Sequence, residues 1–251
     1  MPDLLAQAIA TPGVAWLALA VIVAGLVRGF AGFGSAMIIM PVAASVLSPV
    51  EAILFMTAAE LIGPLPNLPD ALREGAPREV GRLLLGVLIG MPLGLWGLSL
   101  MSPEGFGWIV SGVVLGLLAL LLAGWRYHGP LSAKLVTATG ALGGFMTGFA
   151  GIAGPPVILL YMASRRPAAV IRANFLLYLL GLDLMLFAML AATGQVVWPL
   201  LMLGLLAGVP NVIANIIGAR LFDPDRERLF RAVAYIVIAA SAILGLPLWN
   251  T

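Results

Sequence analysis

The chain has 251 residues, of which 62% are hydrophobic and only 10% are charged. A soluble globular domain carries about 25% charged residues, so this composition excludes an ordinary water-facing surface. The formal net charge is only +2, and the absence of cysteine excludes disulfides and cysteine-bound metals. We therefore expect a protein whose solvent is the lipid bilayer, with no metal, no cofactor and no nucleic-acid partner.

Ten apolar segments follow one another along the chain, separated by polar residues or by glycine and proline. A helix needs about 20 apolar residues to cross a bilayer, and most segments approach that length. Two of them are too short for a straight crossing, 35–47 and 154–163, and each directly follows a glycine-rich break. In chain order the segments are 12–27, 35–47, 51–68, 80–100, 106–125, 131–149, 154–163, 169–192, 196–219 and 229–248.

The two halves of the chain share short motifs in the same order. Three matches at nearly one offset predict an internal duplication, because chance matches in a glycine-rich chain would scatter. At offsets of 119, 118 and 121 residues, the pairs are Gly29-Phe30-Ala31-Gly32 with Gly148-Phe149-Ala150-Gly151, Gly86-x-x-x-Gly90-Met91-Pro92 with Gly204-x-x-x-Gly208-Val209-Pro210, and Ser102-Pro103-Glu104 with Asp223-Pro224-Asp225.

Basic residues gather in four clusters, which predict the topology because lysine and arginine mark short cytoplasmic loops. For all four clusters to face the cytoplasm, the stretch 131–163 must leave and return on the same side as a broken hairpin. The duplication then predicts the same of 12–47 from the opposite side. The clusters are Arg73, Arg78 and Arg82; Arg126 and Lys134; Arg165, Arg166 and Arg172; and Arg220, Arg226, Arg228 and Arg231.

These patterns predict an all-α integral membrane protein of two inverted repeats, each a broken helical hairpin followed by three transmembrane helices. Both termini are expected outside. In the alternative, each hairpin is one continuous span and the repeats are parallel, which would place the second and third basic clusters on opposite sides. The predicted repeats are 1–128, with hairpin 12–47 and helices 51–68, 80–100 and 106–125, and 129–251, with hairpin 131–163 and helices 169–192, 196–219 and 229–248.

The two breaks carry the predicted substrate site. In secondary transporters with inverted repeats, discontinuous helices point their partly positive N-termini at an anionic substrate. The alternative is that the glycines only permit close helix crossings. The predicted substrate-binding residues are Arg28, Gly29, Gly32, Gly34 and Ser35 at the first break, and Thr147, Gly148, Gly151, Gly154, Pro155 and Pro156 at the second.

Ionisable side chains inside apolar segments are costly and therefore suggest function. Arg28 could bind an anion or reach out to lipid headgroups. Glu60 and Asp183 could carry a proton for coupling, or each could pair with an arginine and serve structure alone. Asn174, Asn211 and Asn215 could line the pathway or form hydrogen bonds between helices.

Both breaks resemble motifs of the TauE/SafE family of sulfite exporters. The first is Gly-Phe-Ala-Gly-Phe-Gly-Ser at 29–35, followed by an apolar run with Pro41. The second, more specific, is Gly-Ile-Ala-Gly-Pro-Pro at 151–156, followed by Leu-Tyr-Met and Arg172; Ala153 stands where the family often has another glycine. The resemblance covers essentially the whole chain. It implies a bacterial inner-membrane exporter of sulfite or related sulfur-containing or organic anions.

Other functions fit the residues less well. An aspartyl intramembrane protease needs two intramembrane aspartates, and only Asp183 qualifies; a serine type would have only His128 as its base. A metal-dependent enzyme would need several histidines, and the chain has one. We therefore expect a transporter and not an enzyme, while a cation or a neutral solute stays open as an alternative substrate.

Overall fold

A computed structural model describes residues 2–123, 131–162 and 166–249, and every regular element in these ranges is helical. Five helices are long and apolar enough to cross a membrane: Val14–Ala31, Pro77–Ser99, Pro103–Leu122, Ala168–Ala192 and Trp198–Leu221. The prediction of an all-α integral membrane protein is confirmed.

Ten of the helices fall on the ten predicted apolar segments, while α1 and α5 were not predicted. Short 3₁₀ turns lie at Leu65–Asn67, Pro224–Arg226 and Pro247–Trp249. In the described residues the α-helices are α1 Pro2–Ile9, α2 Val14–Ala31, α3 Ser35–Val46, α4 Pro49–Leu61, α5 Leu68–Glu74, α6 Pro77–Ser99, α7 Pro103–Leu122, α8 Ala133–Ala150, α9 Gly154–Met162, α10 Ala168–Ala192, α11 Trp198–Leu221 and α12 Glu227–Leu244.

The predicted span 51–68 contains a break, because α4 ends before it does. A capping box of Ser48 and Glu51 starts α4, but the helix ends at Leu61, after 13 residues. Gly63 and Pro64 follow directly, and proline cannot donate the backbone hydrogen bond that would continue the helix. After a bend of 45° the chain continues as Leu65–Glu74, and this segment and α4 are together long and apolar enough for one broken span. Glu60 lies in the last turn of α4, just before the bend.

The two glycine-rich breaks exist, but they begin about three residues later than predicted. Helix α2 runs through Gly29 to Ala31 before Gly32 and Gly34 adopt φ angles of 78° and 100°. Helix α8 runs through Gly148 to Ala150 before Gly151 adopts a φ of 71°. Only glycine takes such angles without strain, so these three positions separate the long arms from the short helices α3 and α9.

The chain forms two compact units. The first contains Met1–Gly63, Met101–Ala119 and Gln195–Thr251, and the second contains Pro64–Leu100 and Leu120–Gly194. Neither unit coincides with a predicted sequence half, since each combines segments from both. The repeat itself stays a prediction, and its boundary at residue 128 lies outside the described residues.

In the first unit, α2 and α3 fold back on each other. A Cβ on Gly13, just before α2, would lie 2.8 Å from a methyl carbon of Val46, the last residue of α3. Helix α11 runs along α2 in the same direction, because Gly25 approaches Asn211 and Gly29 approaches Asn215.

Helix α11 also runs in the same direction as α4. Gly204 lies against the backbone of Phe55, and Gly208, one turn later, lies against the backbone of Ala59. Because α2 and α4 both run with α11, the connecting α3 must run back between them. The α2–break–α3 segment is therefore antiparallel in this unit.

In the second unit, α6 crosses α8 at very short range. A Cβ on Gly86 would lie 2.1 Å from the carbonyl oxygen of Thr137, and one on Gly94 would lie 2.3 Å from that of Phe145. Small residues allow backbones to approach closely in membrane proteins, where lipid gives little hydrophobic drive for association. This crossing needs glycine because any side chain would enter a neighbouring backbone.

Candidate functional site

Arg28 and Glu60 form a partly buried ion pair in the first unit. Arg28 lies in the last turn of α2, and its Nη1 donates a hydrogen bond of 3.0 Å to Glu60 Oε2. The exposed fractions of the two side chains are 23% and 10%. Of the roles predicted for Glu60, the structure realises the pairing with an arginine. The pairing does not test either functional role, so anion binding by Arg28 and proton transfer by Glu60 stay predictions.

The other oxygen of Glu60 lacks a partner among the described residues. Glu60 Oε1 is buried and accepts no hydrogen bond there. A carboxylate has about four acceptor positions on its two oxygens. Leaving a buried charged acceptor unsatisfied costs more than about 1–3 kcal/mol. One oxygen of the carboxylate can therefore accept a hydrogen bond from a donor on a ligand.

The first break lies next to this pair. Gly32 is exposed and has open space where a side chain would be, whereas Ser35, which begins α3, is buried. The ring of Phe30 lies 5.3 Å from that of Phe230. Gly29 is different, because its Cα faces the backbone of α11. The structure thus gives Gly29 a packing role, and its assignment to substrate binding stays a prediction.

The rest of the first break is covered by α12. A Cβ on Gly34 would lie 3.1 Å from the side chain of Ile238, and the ring of Phe33 lies 6.4 Å from that of Tyr235. An anion that reached this break would therefore meet apolar and aromatic surface on the α12 side. Open space is found on the side of Gly32.

The predicted residues of the second break take part in packing or begin a helix. Thr147 donates its hydroxyl hydrogen to the carbonyl oxygen of Gly143 at 2.7 Å, and Gly148 packs against the backbone of α6. Gly154 begins α9, and Pro155 and Pro156 occupy its first turn, where a missing N–H has no helical partner to lose.

Sequence reasoning missed a polar cluster in the second unit, which joins α6, α9 and α10. Asn174 Nδ2 donates hydrogen bonds of 3.1 Å to both Glu79 Oε2 and the Tyr161 hydroxyl. Arg166 pairs with the second oxygen of Glu79. Glu79, Tyr161 and Asn174 are all buried.

The Glu79 cluster leaves neither carboxylate oxygen unsatisfied, in contrast to Glu60. Asn174 also accepts a hydrogen bond of 2.7 Å from the backbone N–H of Ala76, at the start of α6. Of the two roles predicted for Asn174, the structure gives it hydrogen bonds between elements. Glu79 follows Pro77 closely and resembles an ordinary acidic residue of a helix's first turn, so its sequence position held no signal of burial.

The remaining predicted residues lie on α10 and α11. Asn211 donates a hydrogen bond of 3.2 Å to the carbonyl oxygen of Val21, which joins α11 to α2, and Asn215 is half-buried. Asp183 lies inside α10 and is buried, and its role in proton coupling stays a prediction. Three residues used in the sequence predictions lie outside the described residues: Arg126, His128 and Arg165.

Comparison with known proteins identifies the family. The family described as "Sulfite exporter TauE/SafE" matches residues 17–244. The chain belongs to this family. A relative from Cupriavidus necator (strain H16), named "Probable sulfite/organosulfonate exporter TauE", is 27% identical over 232 residues, which cover 86% of this chain and 87% of the relative. No solved structure matches the chain at a significant level.

Membership of the TauE/SafE family confirms the resemblance found in the sequence. The matched residues include both breaks, the Arg28–Glu60 pair and the Glu79 cluster. The family is one of exporters, so the chain is a multi-pass membrane transport protein. Among the described residues there is no group of three or more histidine, cysteine, aspartate or glutamate side chains that could hold a metal ion.

Proposed function

We propose that this TauE/SafE protein moves small anions, foremost sulfite or organosulfonates, across a bacterial inner membrane by alternating access, with proton coupling. The substrate class follows the printed name of the Cupriavidus necator relative. The proposal excludes an enzymatic role. The observation that carries it is the Arg28–Glu60 pair, in which one buried carboxylate oxygen has no partner in the described part of the chain.

The ion pair supports a mechanism in which a substrate anion replaces the Glu60 carboxylate as the partner of Arg28. Removing one member of a buried ion pair costs about 3–5 kcal/mol, because the other charge is left uncompensated. A substrate anion on Arg28 avoids that cost for the arginine, and a proton on Glu60 avoids it for the carboxylate. Anion and proton would therefore bind together, and each would strengthen the binding of the other.

The break beside the pair provides a second attraction for an anion. Helix α3 begins at Ser35, after Gly34, and its first N–H groups carry partial positive charge. Gly32 leaves open space at the same break. We propose that α9, which begins at Gly154, contributes in the same way, together with the remaining predicted residues of the second break.

We further propose the inverted-repeat topology, with basic loops in the cytoplasm and both termini outside. The contact of Gly13 with Val46 supports a hairpin at the first break. The common direction of α2, α4 and α11 supports it independently. Each hairpin is followed by three crossings in the proposed topology. Because this number is odd, the second repeat has the opposite orientation to the first in the membrane.

Transport in proteoliposomes tests the proposal. Purified protein is reconstituted, and sulfite, sulfoacetate, other sulfonates and carboxylates are supplied with and without a pH gradient. We expect movement of a sulfur-containing anion that the pH gradient changes, and proton movement in the same vesicles. Folded protein that moves no anion would refute the central claim. Anion movement without any pH response would remove the proton coupling alone.

A further inference from the structure

A groove outside the proposed anion site runs between α6 and α10 in the second unit. Its volume is about 460 Å³, which lies within the range of small-ligand sites, about 300–1,000 Å³. A single face of α6 provides both arginines at one end of the groove and most of the groove's apolar surface. The lining residues used below are Arg78, Gly81, Arg82, Leu85, Leu88 and Met185.

One end of the groove is basic. Arg78 and Arg82 lie four residues apart in the first two turns of α6, so they share one helix face. Among the described residues, neither guanidinium group has a hydrogen bond or an ion pair. Two positive charges near a helix N-terminus are also unfavourable to the helix macrodipole unless an anion is present.

The other end of the groove is apolar. Leu85 continues the face of Arg78 and Arg82, and Leu88 lies one turn further. The exposed fractions of Leu85 and Leu88 are 59% and 51%. Met185 of α10 forms the opposite wall, and Gly81 has open space where a side chain would be. The groove thus offers a slot without polar side chains beside a pair of arginines.

We propose that this groove binds an anionic phospholipid, with its phosphate on Arg78 and Arg82 and an acyl chain along Leu85, Leu88 and Met185. Basic pockets between transmembrane helices bind anionic headgroups. A small soluble anion would gain nothing from the apolar slot. A zwitterionic lipid would bring an ammonium group to the arginines. The site shares no residue with the Arg28–Glu60 pair, so the inference does not depend on the transported substrate.

Native mass spectrometry of the purified protein, titrated with phosphatidylglycerol or phosphatidylcholine, tests the headgroup half of the site. We expect the wild type to prefer phosphatidylglycerol. The double variant Arg78→Gln/Arg82→Gln should bind it roughly 30-fold more weakly, the loss expected for two arginines at an anionic membrane surface. Arg73→Gln/Arg220→Gln removes the same charge from exposed positions elsewhere and should change little. Equal binding by the two double variants would overturn the proposal.

The variant Gly81→Leu tests the acyl-chain half. It fills the slot, retains both arginines and replaces a helical glycine by a better helix former, so we expect it to fold. Gly112→Leu is the matched control, since Gly112 of α7 also has open space beside it. We expect only Gly81→Leu to lose phosphatidylglycerol, and inorganic phosphate not to compete. Unchanged lipid binding by Gly81→Leu, or displacement of the lipid by phosphate, would contradict the proposal.

Discussion

Asn174 and Glu79 are separated by 95 residues in the chain, and their side chains meet through a buried hydrogen bond of 3.1 Å. The same amide accepts the N–H of Ala76, so one side chain supports both the carboxylate and the start of α6. Arg166 neutralises the carboxylate from the other side. Asn174 therefore provides two of the hydrogen bonds that hold the start of α6 against α10.

We expect Asn174→Ala to destabilise the protein by about 1–3 kcal/mol, the cost of leaving buried polar partners unsatisfied. Thermal unfolding in detergent measures the loss. Asn215→Ala is the control, because Asn215 is only half-buried and its substitution removes no hydrogen bond of this kind. If the two variants unfolded at the same temperature, the hydrogen bonds of Asn174 would not contribute to stability.

The close crossing of α6 and α8 gives a second prediction. A Cβ on Gly86 would lie 2.1 Å from the carbonyl oxygen of Thr137, so Gly86→Ala must separate the two backbones. We expect a loss of at least about 1–3 kcal/mol, the usual cost of overpacking. The comparison is Gly112→Ala, which has open space and should raise helix stability slightly. Expression yield and thermal unfolding distinguish them, and similar behaviour of both would contradict the predicted need for glycine.

Much of the fold was predictable because a bilayer imposes long apolar helices. The undersized helices α3 and α9 were also visible, since glycines precede each of them. The early end of α4 was missed although Gly63-Pro64 is a known turn signal. Isoleucine and leucine flank this dipeptide, so the apolar pattern continues across it.

The contacts of the candidate site were harder to predict from the sequence than the fold. Arg28 and Glu60 were each identified because charges are costly in apolar segments. Their pairing depends on how α2 and α4 pack, and no local pattern reports it. Glu79 was missed for a different reason: an acidic residue in a helix's first turn is ordinary on a surface, and only tertiary packing buries it.

The hairpin topology predicts the sidedness of two positions. Reporter fusions at residues 129 and 166 should give signals from the same side of the membrane, because the segment between them leaves and returns. A fusion in the loop at 101–105, which contains no lysine or arginine, should report the opposite side. Opposite signals from 129 and 166 would favour continuous spans and parallel repeats.

The Arg28–Glu60 pair predicts a set of anion-binding effects that packing alone would not produce. Arg28→Ala should weaken sulfite binding about tenfold or more, since a hydrogen bond to a charged group contributes about 1.5–3 kcal/mol. Arg78→Ala, on the exposed start of α6, should weaken it far less. Equal and negligible losses would mean that Arg28 does not bind the anion.

The variant Glu60→Gln distinguishes the two steps of the proposed exchange, which are anion binding to Arg28 and proton binding to Glu60. The amide retains the shape of the carboxyl group but cannot hold Arg28 by charge, so we expect sulfite to bind more tightly than in the wild type. Binding should also lose its dependence on pH, because the group that exchanges the proton is gone. The double variant Arg28→Gln/Glu60→Gln leaves no uncompensated charge in the pair and should fold, yet it should not bind sulfite. Isothermal titration from pH 5 to pH 8 measures all three proteins. If Glu60→Gln kept the pH dependence of the wild type, the proton would bind elsewhere, with Asp183 as the next predicted candidate.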